Sequence, residues 1–85
     1  MADESMLEVT VRNRQGLVFE GRAMSVTSEN KKGPFDVLPR HANFICTIGR
    51  KLVIHKVGGG KIAMSVEAGM LHVYKNKVVV FLGVM

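Results

Sequence analysis

Lys61-Ile62-Ala63-Met64-Ser65-Val66-Glu67-Ala68, then Gly69, then Met70-Leu71-His72-Val73-Tyr74, reads as extended chain. Ile62, Met64 and Val66 alternate with Ala63, Ser65 and Glu67, and a period of two puts one apolar face opposite one polar face, as in a half-buried strand. Gly69 reads as a bend or bulge, because a glycine inside a strand pattern marks a close backbone approach or a kink. Before this stretch, Gly58-Gly59-Gly60 reads as a hairpin tip, since glycine accepts positive φ at little steric cost. After it, Lys75-Asn76-Lys77 turns the chain into Val78-Val79-Val80-Phe81-Leu82. That run is apolar on both sides. It is therefore predicted to be paired inside the sheet, with Phe81 and Leu82 partly bared at its end.

The same period recurs toward the N-terminus. Leu7, Val9 and Val11 face away from Met6, Glu8, Thr10 and Arg12, and Asn13-Arg14-Gln15-Gly16 supplies a turn. Residues 17–20 read as a short strand ending at Gly21, and residues 22–28 set Met24, Val26 and Ser28 opposite Ala23, Ser25 and Thr27. Residues 28–34, the most polar part of the chain, read as an exposed loop. A strand over 35–38 is closed by Pro39, and Arg40-His41-Ala42-Asn43 makes a second connection. The two loops flank one short strand, so the reading expects them together on one end of the molecule, forming a patch with Lys31, Lys32, Arg40 and His41. Phe44, Cys46 and Ile48 share a face, and Gly49-Arg50 is expected to break that strand before residues 52–57.

No helical pattern of useful length appears. Segments of this kind predict an all-β fold, a small flattened antiparallel sandwich or barrel of about eight to ten strands, with residues 1–85 as one domain. The predicted core is Leu7, Val9, Phe19, Val26, Phe35, Leu38, Phe44, Ile48, Ile54, Met64, Val66, Leu71, Val73, Val78 and Val80.

Composition limits function. A chain of 85 residues and 9.3 kDa exposes roughly 13,000 Å² unfolded and about 5,000 Å² folded, enough for one thin core and too little for a large enclosed catalytic cavity. Hydrophobic residues make up 47%, enough to offset the entropy of ordering the chain. The longest charge-free apolar stretch, residues 78–85, is well short of the ~20 residues of a membrane-spanning helix. An acidic start, Met1-Ala2-Asp3-Glu4-Ser5, is unlike a secretory signal, so a cytoplasmic location is expected. The single cysteine, Cys46, agrees with a reducing compartment and reads as a small core hydrophobe.

Charge is uneven. Residues 1–29 hold five acids and three arginines, a net of −2, whereas residues 30–85 hold nine bases and two acids, a net of +7. Such asymmetry suggests an anionic partner, and a basic β-barrel binding single-stranded nucleic acid is the competing functional reading. Stacking aromatics argue against it. Phe19, Phe35, Phe44 and Phe81 lie beside apolar neighbours, and only Tyr74, next to Lys75 and Lys77, reads as a platform. His41, His55 and His72 are too scattered for a short metal motif. Gly58-Gly59-Gly60-Lys61 lacks the spacing and following helix of a phosphate loop. No nucleophile with a base, no acid pair and no metal cluster can be assembled, so no enzyme, cofactor, metal or small-molecule substrate is expected.

Gly33-Pro34-Phe35-Asp36-Val37-Leu38-Pro39-Arg40-His41-Ala42 resembles the Gly-Glu-Phe-Gly-Ile-Leu-Pro-Gly-His-Ala-Pro run in the N-terminal domain of the epsilon subunit of F-type ATP synthases, called delta in mitochondria. Phe19-Glu20-Gly21 with Ser25-Val26-Thr27 is similar to that family's entry segment. Residues 65–73 with Asn76-Lys77-Val78 are similar to its ending, so the likeness runs from Leu7 to Leu82. The resemblance implies a ten-stranded flattened sandwich with a mechanical role. It would sit on the rotor between the gamma subunit and the polar loops of the c-ring, peripheral to the membrane on the cytoplasmic face of a bacterial plasma membrane or the equivalent organelle side. It implies partner contacts at Lys31, Lys32, Gly33, Pro34, Arg40, His41 and Ala42, and no nucleic acid. Pro34, Asp36, Arg40 and Asn43 depart from the family's pattern. The family's C-terminal helical hairpin lies outside these residues, so neither autoinhibition nor nucleotide binding is carried over.

Overall fold

The computed structural model describes residues 5–83, among which there are six strands and no helix. They are β1 (Leu7–Asn13), β2 (Gly16–Asn30), β3 (Gly33–Val37), β4 (Phe44–Lys56), β5 (Lys61–Tyr74) and β6 (Lys77–Leu82). The order β1-β6-β5-β4-β2-β3, with a further β1–β2 pairing, closes five strands into a ring and leaves β3 outside it on β2. The result is a flattened barrel of 34 × 27 × 21 Å.

Nine sequence segments become six strands because three predicted breaks are bends in continuous chain. At Gly21, β2 carries on from its pairing with β1 (Leu7↔Ala23 to Asn13↔Gly16) into pairings with β3 and β4. At Gly49-Arg50, β4 continues through a register irregularity, with Arg50 in the left-handed region at φ 68°. At Gly69, β5 passes so close to β6 that an added Cβ would lie 2.9 Å from the Phe81 carbonyl oxygen. A glycine or bulge inside a strand bends it without ending the ladder, so each long strand serves both layers.

One pair departs from the antiparallel expectation. β1 and β6 run parallel, from Glu8↔Lys77 to Arg12↔Phe81, whereas every other pair is antiparallel. Five strands in a ring cannot alternate direction all the way round, so one seam is parallel.

Ten of the predicted core residues are buried: Leu7, Val9, Val26, Ile48, Ile54, Val66, Leu71, Val73, Val78 and Val80. Phe19, Phe35, Phe44 and Met64 pack against them while partly exposed. Leu38 is a correction. It is 55% exposed, because β3 ends at Val37 and period two buries Val37 instead. Ala23 and Met24 are exchanged relative to expectation, Ala23 buried and Met24 exposed, because the irregularity between Ala23 and Ser25 shifts the phase of β2 by one residue. Val11 and Leu52 complete the core. The one buried polar residue among those described, Ser28, donates its hydroxyl to the Lys51 carbonyl at 2.7 Å, so its burial leaves no unmet hydrogen bond. β6 lies between β1 and β5 as expected, with Val78 and Val80 inside and Phe81 exposed.

Replacing Gly69 by Ala forces its Cβ against the Phe81 carbonyl and is expected to lower stability by about 1–3 kcal/mol, whereas Leu38→Ala at the exposed strand end changes it by less than about 0.5 kcal/mol. Urea unfolding of the two variants measures this, and an unchanged midpoint for Gly69→Ala contradicts the close approach.

Candidate interaction surface

The polar segments that sequence reading placed together lie at opposite ends of β3. Five residues at about 3.3 Å each separate them by roughly 16 Å. The physical reason is simple: loops that flank a single strand leave it at its two ends.

At the first end, Lys31 and Lys32 form the exposed two-residue connection of the β2–β3 hairpin. The Lys32 N–H donates to Asn30 Oδ1 at 2.8 Å, and Gly33 takes φ 117°, a value L side chains rarely adopt. Pro34 follows on the exposed edge strand, where its missing N–H breaks up the row of free donors. Beside this hairpin lies an open groove of 610 Å³ lined by Glu29, Lys31, Thr47, Ile48, Arg50 and Gly69 among others. Glu29 is mostly covered and its carboxylate meets Arg50 Nε at 3.3 Å, while the Arg50 side chain is 84% exposed. Such an open pair contributes little stability, and its guanidinium is presented to solvent alongside the two lysines.

At the second end, Arg40, His41 and Ala42 are exposed in the β3–β4 connection. The His41 N–H donates to the Leu38 carbonyl at 3.1 Å, and its ring lies 5.1 Å from that of Phe44. His41 Nδ1 is 3.0 Å from the Ala42 carbonyl, so that nitrogen carries a proton. The β5–β6 tip joins this end: Arg40 N–H donates to Asn76 Oδ1 at 2.6 Å, and Lys75 N–H to Asn43 Oδ1 at 2.9 Å. Sequence reading places Asn43 in the Arg40 turn but gives no sign that Lys75 and Asn76 stand beside it. The only local signal is Asn in a turn, and nothing local in Asn76-Lys77-Val78 points to a partner 36 residues away.

Other polar groups show no catalytic arrangement. Thr27 Oγ1 donates its single proton to Asp36 Oδ1 at 2.5 Å, so at 3.2 Å it accepts from His55 Nε2. With the Thr27 hydroxyl hydrogen directed at the Asp36 carboxylate, His55 does not act as a base toward Thr27 in this arrangement. No group of three metal-binding side chains occurs among the described residues. Tyr74 carries Lys75 Nζ 5.4 Å from its ring centre with His72 beside it, a single stacking platform.

The sequence profile described as "ATP synthase, Delta/Epsilon chain, beta-sandwich domain" matches residues 6–83. The chain belongs to this family. An ATP synthase epsilon chain of Corynebacterium aurimucosum is 33% identical over 82 residues, covering 94% of this chain and 65% of that one. One from a Sulfurovum species is 31% identical over 72 residues, covering 84% of this chain and 55% of that one. The chain thus spans between half and two thirds of the length of these epsilon-chain relatives. A chain in the mitochondrial ATP synthase of Euglena gracilis superposes with a TM-score of 0.85 at 17% identity, covering 92% of this chain and 51% of that chain. A chain in the central stalk and c-ring structure from Tetrahymena thermophila gives 0.71 at 15% identity, covering 89% and 62%. Both likenesses carry the fold of the delta/epsilon sandwich.

Within that sandwich Cys46 is half-covered, and desolvation pushes its thiol above the ordinary cysteine value, although a hydrogen bond with Asn30 acts the other way. A raised value leaves less thiolate at a given pH. Alkylation by iodoacetamide at mildly alkaline pH is therefore expected to run several-fold slower in the folded protein than in urea, and equal rates, corrected for the effect of urea on a free thiol, contradict the burial.

Proposed function

We propose that the chain is a non-catalytic rotor domain of a proton-translocating F-type ATP synthase, joining the gamma subunit to the c-ring as a peripheral part of the central stalk. The observation that carries this reading is the family match along residues 6–83. The names of the relatives, and the stalk and c-ring assemblies in which the structural neighbours occur, support it. The mechanics agree. A closed ring packed at crystal-like density deforms little, as a part transmitting torque between two partners must. Two cationic segments at the two ends of β3 also suit a domain held between neighbours: Lys31, Lys32, Gly33 and Pro34 at one, Arg40, His41 and Ala42 at the other. The complex places the domain at the membrane surface, on the cytoplasmic side in a bacterium.

Capture from a membrane extract tests the reading: gamma and c subunits are expected on the immobilised protein, and salt-sensitive capture of nucleic acid without them overturns it. The Lys31→Glu/Lys32→Glu variant is expected to keep the fold and to weaken assembly more at low salt than at high salt, since rim charges act mainly on association rate and are screened by salt. Equal assembly of variant and parent at low salt removes the β2–β3 hairpin from the interface.

A further inference from the structure

The two turns at the Arg40 end hold each other by a reciprocal exchange. Asn76 accepts the Arg40 N–H, and Asn43 accepts the Lys75 N–H, across 36 and 32 residues of sequence. Both donors belong to residues in the left-handed region, Arg40 at φ 66° and Lys75 at φ 47°. A glycine takes that conformation freely, and a long side chain does so against steric resistance. Asn76 is itself at φ 64°, and its carbonyl oxygen accepts the Glu8 N–H at 2.8 Å, which ties the tip to β1 as well. Backbone outliers of this kind persist where their surroundings over-determine them, and they gather at functional sites. Of the three left-handed positions here two are cations, neighboured by His41 and Lys77 and by one acid, Glu8, opposite Lys77, on an exposed end.

We infer that Asn43 and Asn76 are positioning residues, which clasp the β3–β4 turn to the β5–β6 tip so that Arg40 and Lys75 form one pre-set cationic surface for an acidic segment of a stalk protein. The inference rests on the rotor reading above and goes further, by adding Lys75 to the surface and by naming what fixes it. Fixing the backbone beneath long side chains before contact reduces the ordering that binding would otherwise require. Residue 43 carries the cleaner test, since Asn43→Ala removes one acceptor and leaves both cations in place.

In Asn43→Ala, hydrogen exchange of the Lys75 amide is expected to accelerate several-fold, with the Leu71 and Val73 amides of β5 unchanged. Affinity for a gamma and c-ring subcomplex from the same organism is expected to fall several-fold, more at low salt than at high salt. Lys75→Gly alone, which removes the cation and keeps the Asn43 acceptor, is expected to lower affinity as well while the amide of residue 75 stays protected. Unchanged Lys75 exchange overturns the inference. Affinity equal to the parent's in Asn43→Ala does so too, as does affinity equal to the parent's in Lys75→Gly. A parent that fails to bind the subcomplex overturns the rotor reading and this inference together, and is told apart by the parent control.

Discussion

Closure of an odd ring constrains the rest of this molecule. With β1, β2, β4, β5 and β6 joined edge to edge, direction alternates through four pairings, and the fifth, between β1 and β6, has to be parallel. This seam joins the first and last strands of the chain, and Val9↔Val78 and Val11↔Val80 pair across it with all four side chains buried. Burying a valine contributes about 1.5–3 kcal/mol as an upper estimate. Four together therefore approach the net stability of a whole small domain, about 5–15 kcal/mol. An open seam would expose two edges lined with valine, the arrangement that invites pairing with other chains. The unbroken apolar run of β6 follows from its place: β1 is on one side, β5 is on the other, and its inner face fills the core.

The seam also governs the bends. Only three strands, of 13 to 15 residues, span both layers, and they turn where the ring flattens. At Gly69 there is no room for a side chain beside Phe81, and at Arg50 the backbone crosses into the left-handed region, so each strand changes layer while keeping its hydrogen bonds. A stack of separate short strands would need a loop at every corner. Here the corners lie inside strands, which leaves few mobile joints between one end of the body and the other.

How far the sequence reveals this structure differs between fold and site. Alternation in residues 61–74 identifies strand and inward face correctly, because period two is a local property that burial enforces. Ala23 and Met24 lie in the phase opposite to that of Val26 and Ser28, since a one-residue irregularity reverses inside and outside across it and leaves no compositional mark. Gly21, Gly49 and Gly69 were legible as breaks in pattern, but a glycine that ends a strand and one that bends it look alike in one dimension. The parallel seam was illegible because it depends on the parity of ring members, and β3 had to be recognised as lying outside the ring.

At the candidate surface the failure is of another kind. Lys31, Lys32, Arg40 and His41 were identified as exposed, and they are, but proximity in sequence was taken for proximity in space. A strand carries its two flanking loops apart by its own length, so the lysine hairpin and the Arg40 turn lie at the two ends of β3. What stands beside Arg40 is a hairpin tip more than thirty residues later, joined to it by side-chain amides of two asparagines. Asparagine in a turn is ordinarily read as satisfying its own backbone, as Asn13 and Asn30 do here. Asn43 and Asn76 use the same acceptor on a neighbouring turn instead, and the antiparallel β4–β5 pairing, which sets Phe44 opposite Val73, makes that partner available. The β4–β5 ladder thus assembles the cationic end, and the β1–β6 seam then ties the same tip to β1 through the Glu8 N–H and the Asn76 carbonyl.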